Sequence, residues 1–255
     1  MFRKGIGLYR VVFGNPHMDI MLISGGNGFL GSHLAERTIK EGFEVTVLDD
    51  FSTSNRVNIP HEVTIIRGRG EDISLQNNFE HIVHLAATVG VDKIFWQSTK
   101  YFLVSTIGTS NPYDTLIHEK VSLSKIKKIV LAPSKRIYCE SAYSCKDHSL
   151  VYPNPRPIEQ LKMHDWEAKC PICGNDTVDV ATTEEKPPQN VSSYALSMYV
   201  SEIISIDYSE LLGIPTVAFR YFNVYGPRQS LNNPFTAVFA IFMSRLKKWS
   251  SPIGI

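Results

Sequence analysis

Short apolar runs and amphipathic stretches alternate along the chain from residue 19 onward. Six runs, Asp19–Ser24, Glu44–Asp49, Glu62–Arg67, His81–Ala86, Lys128–Ala132 and Pro215–Arg220, are mostly β-branched or leucine-rich and apolar on both faces. Strands covered on both sides in a parallel sheet have this composition. Other stretches space their apolar residues three and four apart, which predicts helices. Phe29–Lys40 carries Leu30, Leu34 and Ile39, and Ser192–Leu212 carries Leu196, Val200, Ile203, Ile204, Tyr208 and Leu211. A third helix is predicted through Val238, Phe239, Ile241, Phe242 and Leu246. Strands alternating with helices predict an α/β fold, a doubly wound parallel sheet with right-handed crossovers.

Residues 139–190 interrupt that rhythm. They hold six of the 14 prolines and all four cysteines, with little apolar periodicity. They read as an inserted loop or small subdomain. Cys145 and His148 are spaced C-x2-H, and Cys170 and Cys173 are spaced C-x2-C, with Pro171 and Gly174 completing a knuckle-like turn. Such clustering suits a local metal site better than a disulfide framework. The two pairs supply four ligands for tetrahedral zinc, and a closed four-ligand site is structural, not catalytic. Cys139 is then a spare thiol.

Composition narrows the function classes. The 255 residues are 43% apolar and 20% charged, with a net charge of +1. This is ordinary for a soluble globular protein and gives no electrostatic case for nucleic acid or membrane binding. No apolar run reaches the length of a membrane span. The basic, partly apolar stretch 1–17 lacks the long apolar core and cleavage site of a secretory signal. It reads as an extension ahead of a start at Met18 or Met21, with an organelle-targeting segment as the lesser alternative. The expected compartment is the cytoplasm.

A glycine trio sits between the first strand and the first helix. Gly25, Gly28 and Gly31 in Gly25-Gly26-Asn27-Gly28-Phe29-Leu30-Gly31 follow a G-x-x-G-x-x-G spacing. The first glycine permits a tight turn, the second lets the backbone approach a pyrophosphate, and the third lets helix and sheet pack closely. Asp49 ends the second strand, 18 residues past Gly31. A carboxylate there binds ribose hydroxyls and disfavours a 2′-phosphate, so NAD is the expected cofactor on a Rossmann-type sheet.

With His84-Leu85-Ala86-Ala87, Gly108-Thr109, Ser134 with Tyr138, Tyr194 and Arg220-Tyr221-Phe222-Asn223-Val224-Tyr225-Gly226-Pro227-Arg228, the chain resembles the extended short-chain dehydrogenase/reductases. These include the nucleotide-sugar epimerases and dehydratases. The Cys/His insert is similar to that of the dTDP-L-rhamnose 4-epimerase subfamily. The resemblance implies that Phe29, Leu30, Ala86 and Ala87 join the glycines and Asp49 at the cofactor. It implies that Asn223 and Arg228 lie near a dTDP- or UDP-linked sugar. By the same resemblance residues 18–222 form the NAD-binding domain, and 223–255 begin a substrate-binding region that the family usually continues further. It also implies a homodimer built on a four-helix interface from Tyr194–Leu212 and a helix within Ser105–Lys120, which Pro112 weakens if it falls in the helix interior.

The family's reaction is NAD-dependent 4-epimerisation of a deoxysugar nucleotide through a 4-keto intermediate. Tyr194 would be the acid/base and Ser134 its hydrogen-bond partner. The family motif is Y-x-x-x-K, in which the lysine shares a helix face with the tyrosine. Here it reads Tyr194-Ala195-Leu196-Ser197-Met198, with no lysine or arginine close in sequence. A tyrosine of ordinary pKa near 10 is about 0.1% ionised at pH 7. Ser105 stands where asparagine is common, Pro133 replaces a small hydroxyl residue, and the acidic residue expected after the third strand is displaced to Asp72. These departures leave activity open. The alternatives are a catalytically inactive NAD-binding or dimerising homologue, or a decayed, truncated product.

Overall fold

The computed structural model describes residues 18–52, 58–70, 79–87, 98–118, 123–189, 191–230 and 238–247. The stretch 1–17 and Asp72 lie outside these residues. In chain order the elements are β1 (Ile20–Ser24), α1 (Phe29–Lys40), β2 (Glu44–Asp49), β3 (Thr64–Arg67) and β4 (His81–His84). A helical run follows, made of α2 (Ser98–Tyr101), a π-helical turn (Phe102–Ile107) and α3 (Gly108–His118). Then come β5 (Lys128–Leu131), a 3-10 turn (Lys135–Tyr138), β6 (Ala142–Cys145), β7 (Ser149–Val151), α4 (Ile158–Lys162) and β8 (Val178–Val180). The described chain closes with α5 (Ser193–Leu212), β9 (Thr216–Ala218) and α6 (Val238–Lys247).

The six expected strands form one parallel sheet in the order β3-β2-β1-β4-β5-β9. That is the doubly wound order, with the switch point between β1 and β4. Side chains alternate across the sheet because a strand has a period of two. Met21, Ile23, Val45 and Val47 pack with Leu34 and Ile39 of α1 on one face. Leu22, Leu48, Ile82, Ile129 and Leu131 pack with Tyr113 and Leu116 of α3 and with Ile204 and Tyr208 of α5 on the other. Leu30, Leu34, Leu85, Val130, Phe219 and Tyr221 border a cleft of about 350 Å³ beside α1.

Pro112 does fall inside α3. It cannot donate to the carbonyl four residues back, that of Gly108. Gly70 passes so close there that a Cβ would come within 2.9 Å of that oxygen. In the π turn just before α3, side-chain hydroxyls supply further hydrogen bonds. The Ser105 carbonyl accepts the Thr109 hydroxyl and, at 2.7 Å, the Ser201 hydroxyl of α5. The Ser201 bond ties α5 to the helical run.

Residues 139–190 are not a bare loop. β7-β6-β8 form a small antiparallel sheet over a core of Tyr143, Cys145, Val151, Ala168 and Cys170. The main-chain N–H of Gln189 donates to the Ile137 carbonyl at 2.8 Å, which closes the base of the insert.

Ser24 and His84 pair in register on β1 and β4, and the serine hydroxyl shares a hydrogen bond with His84 Nδ1 at 2.6 Å. Burial holds the imidazole down at about 4, from the ordinary 6.5. The unfolded chain therefore takes up a proton between those values while the folded chain does not. Stability from the neutral ring is intact above pH 6.5 and is lost as pH falls toward 4, by about 2–3 kcal/mol. In urea denaturation at pH 7.0 and pH 4.5, His84→Gln should narrow the stability difference by about 2 kcal/mol. An unchanged difference would show that His84 does not carry it.

Candidate dinucleotide and acid/base site

The glycine loop turns at the carboxyl end of β1. Gly25 has φ +70°, a left-handed conformation that favours glycine, and a Cβ there would come within 2.7 Å of the Ala86 main chain. At Gly31 a Cβ would lie 2.4 Å from the Gly25 carbonyl oxygen, so α1 enters flush against the loop. Gly28 is the N-cap of α1. It offers no side-chain bond, and the first turn carries no acidic residue. Free N–H groups and the positive end of the helix dipole are thus left for an anion. A Cβ on Gly28 would meet little besides the Gly25 carbonyl oxygen, at 3.2 Å. This cradle and donor set fit a pyrophosphate.

Asp49 is buried at the end of β2. One carboxylate oxygen accepts the Asn27 N–H at 3.0 Å and the other the Phe51 N–H at 2.8 Å. The carboxylate therefore holds the glycine loop and the chain after β2 together. Ala86 and Ala87 follow β4 across the switch point. The structure thus gathers Gly25, Gly28, Phe29, Gly31, Asp49, Ala86 and Ala87 at one end of the sheet, while Leu30 turns toward the cleft beside α1.

Tyr194 enters from α5. Ser192 caps that helix, its hydroxyl accepting the Ala195 N–H at 3.1 Å. The Tyr194 ring meets that of Tyr101 edge-on, with centroids 5.8 Å apart. Burial pushes the Tyr194 phenol above its ordinary value, while the Ser134 hydroxyl and the Arg136 guanidinium oppose the shift. Ser134 heads the 3-10 turn, its Oγ accepting the Arg136 N–H at 3.3 Å. The structure thus brings Tyr194 and Ser134 together.

Arg136 is a cation that sequence spacing did not find, because it acts on the phenol electrostatically from another element. Met198 is 4% exposed. It lines a cavity of about 20 Å³ with His84, Ala86, Ala87, Thr109, Ser201 and Glu202, room for about one water.

Arg228 lies in the loop after β9. Its guanidinium pairs with Glu36 of α1 at 2.6 Å. Lys40 and Arg228 together hold the Glu36 carboxyl down at about 2. His33 Nε2 approaches the Pro227 carbonyl at 3.0 Å, so this loop is tied along α1. Asn223 is exposed in the same loop. A second pairing that sequence spacing did not find joins this segment to α5: Arg220 binds Glu202 in a fork at 2.6 and 2.9 Å and donates to the Tyr138 hydroxyl at 2.7 Å.

Cys145, His148, Cys170 and Cys173 converge at the tip of the insert, their ligand atoms all within 4.8 Å of one another. The Cys145–Cys173 sulfur separation is 3.7 Å, and His148 Nδ1 lies 3.7 Å from Cys145 Sγ and 3.6 Å from Cys170 Sγ. A tetrahedral zinc requires about 3.8 Å between sulfurs and about 3.6 Å from sulfur to nitrogen. Burial raises the Cys170 thiol, but main-chain N–H groups of Cys173 and Ile172 outweigh it and bring the group down to about 6. The four side chains fit the metal.

No helix of the described residues is long and apolar enough to cross a membrane. Comparison with known proteins places the chain. It is 27% identical to a dTDP-L-rhamnose 4-epimerase of Burkholderia thailandensis over 240 residues, covering 89% of this chain and 64% of that protein. It is 29% identical to a putative UDP-glucose 4-epimerase of Methanocaldococcus jannaschii, covering 92% of this chain and 65% of that one. Among solved structures, a UDP-glucose 4-epimerase of Thermus thermophilus in complex with NAD superposes with a TM-score of 0.68 at 27% identity, covering 91% of this chain and 64% of that one. The chain thus spans just under two thirds of the length of these relatives. Residues 21–159 and 170–254 match the NAD dependent epimerase/dehydratase family, and the chain belongs to that family.

Proposed function

We propose that the protein binds NAD and carries the site of a nucleotide-sugar 4-epimerase acting on a dTDP- or UDP-linked deoxysugar. The observation that carries this reading is the meeting of an uncapped glycine loop, Asp49 and the Tyr194–Ser134 pair at one end of the parallel sheet. Bound NAD would supply the acceptor and donor of hydride. Tyr194 would take the proton from the C4 hydroxyl as hydride leaves C4, giving a 4-keto sugar. After rotation of the sugar, Tyr194 would return the proton as hydride comes back to the opposite face. Ser134 would hold the same oxygen. Asn223 would face the sugar nucleotide. Arg228 would have to exchange Glu36 for a phosphate to serve there.

Calorimetric titration of the zinc-loaded protein with NAD⁺ tests the reading. Saturable binding is expected, weakened about 10- to 100-fold by Asp49→Ala, the value of a hydrogen bond to a charged group. No binding by a folded chain would overturn it. A second reading, an NAD-binding homologue without turnover, is favoured by one observation, the buried Met198 in the lysine position.

Two further readings accompany the first. Cys145, His148, Cys170 and Cys173 hold a structural zinc. The exposed apolar side chains of α5 and of the adjoining helical run, Leu196, Ile203 and Ile206 beside Leu103, Ile107 and Ile117, form a homodimer face, as an apolar surface of this kind calls for.

A further inference from the structure

Lys186 is a side chain the proposed reaction does not use. It stands in Glu184-Glu185-Lys186-Pro187-Pro188, a run that reads as solvated, yet it is 1% exposed. Its hydrogen-bond partners are neutral. The ammonium donates to the Tyr138 carbonyl at 2.8 Å, to Gln189 Oε1 at 3.2 Å and to the Pro187 carbonyl at 3.5 Å. It also lies 5.1 Å from the ring centre of Tyr152 and 6.0 Å from that of Tyr138. Among the described residues no carboxylate is hydrogen-bonded to it, though Glu140 acts on it electrostatically. Burying an ammonium so is costly unless its protons are satisfied. Here the carbonyls, the amide oxygen and the aromatic faces satisfy them.

The partners say what this cation ties together. Tyr138 ends the 3-10 turn that Ser134 begins. Residues 139–185 then leave as the insert and return at Lys186. Gln189 bonds the same turn through its own N–H. Three residues later Ser192 caps α5, and Tyr194 follows. The ammonium therefore joins the end of the Ser134 turn to the chain that starts the Tyr194 helix. Arg220 holds the Tyr138 hydroxyl and, through Glu202, the same helix.

We propose that Lys186 is a positioning residue whose buried ammonium closes the neck of the insert and so sets the Ser134 hydroxyl against the Tyr194 phenol. This rests on the Tyr194–Ser134 pair proposed above. Its test reads geometry and not turnover, so the two stand or fail separately.

The test is nuclear magnetic resonance of the full zinc-loaded chain carrying ¹³Cζ-tyrosine, with Tyr194 assigned from Tyr194→Phe. In Ser134→Ala the Tyr194 resonance should shift. In Lys186→Met it should shift to the same position, and the Ile137, Cys139 and Gln189 amides should exchange at least about tenfold faster. Zinc content and protection of the Gly174 amide, which bonds the Cys170 carbonyl, should stay unchanged. Lys186→Arg should restore both signals.

A Tyr194 resonance that moves in Ser134→Ala but not in Lys186→Met overturns the role of Lys186 alone. A resonance that is silent in Ser134→Ala removes the catalytic pair as well. Loss of protection at Gly174 in step with the turn would mean general destabilisation, which also overturns the proposal. Gln189→Leu removes one acceptor from the ammonium and should move the resonance the same way. It replaces Lys186→Met if that variant does not fold, and its silence overturns the proposal too.

Discussion

Replacing Met198 by lysine is expected to raise turnover of a UDP- or dTDP-hexose by about 10²- to 10⁴-fold, the range of general acid/base catalysis. The reasoning starts from Tyr194. Burial raises its phenol, and the opposing influences of Ser134 and Arg136 do not cancel that rise. A cation beside an acid typically lowers its pKa by about 1–3 units. Met198 sits one helical turn from Tyr194 on α5, so a lysine there shares a face with the phenol.

The wild-type methionine is buried against a cavity lined by His84, Ser201 and Glu202. A lysine can direct its ammonium toward the phenol or toward Glu202, whose carboxylate is already held by Arg220. That existing pair leaves the phenol and the bound cofactor as the favourable direction. Steady-state kinetics at pH 7, with NAD⁺ affinity measured alongside, decides the matter. A large rise in kcat with NAD⁺ affinity kept would show that the rest of the site is competent. No rise despite intact NAD⁺ binding would place the deficit outside Tyr194 and support the reading without turnover.

The sheet was legible because its signals are local. Each of the six strands is a short run rich in apolar residues, which marks it as a strand, although β3 at the sheet edge is mostly exposed. The register that pairs Ser24 with Leu48 and His84 comes from the fold, because a run apolar on both faces does not fix it. The glycine loop was legible because its signal is local too. Spacing alone names Gly25, Gly28 and Gly31, and the close approach of Gly31 to Gly25 is what that spacing implies. Residues that act across elements were not legible. Arg136 acts electrostatically on Tyr194 from 58 positions away, and Lys186 reads as a surface lysine between two glutamates and two prolines until Tyr138 and Tyr152 are seen around it. Arg228 shows the reverse. Motif position assigns it to a ligand, while the fold gives its guanidinium to Glu36, a partner 192 residues away. No periodicity carries information about such pairs, since they depend on how layers meet and not on any one segment.

Removing zinc is expected to unfold the insert while leaving the parallel sheet folded. The insert has a core of five buried residues, Tyr143, Cys145, Val151, Ala168 and Cys170, and two of them are proposed ligands. So small a core does not offset the conformational entropy of ordering the segment. Structural zinc supplies about 10–16 kcal/mol of apparent binding free energy in small modules, and that energy is available to folding. The sheet has two larger cores of its own, one on each face, and needs no metal.

Treatment with a strong chelator at neutral pH should therefore release one zinc per chain. Amide protection should be lost at Cys170 and Gly174, which bond the Asn175 and Cys170 carbonyls, and at Thr177, which bonds that of Ala168. Protection in β1 and β2 should remain. Cys173→Ser should reproduce the loss in part, because it leaves three ligands and the exposed member of the set is the one removed. Because Gln189 ties the base of the insert to the Ser134 turn, chelation should also loosen Ile137 and the start of α5, though less than the knuckle itself. A protein that purifies without zinc, or an insert whose amides stay protected after chelation, would show that the four side chains cluster for packing alone.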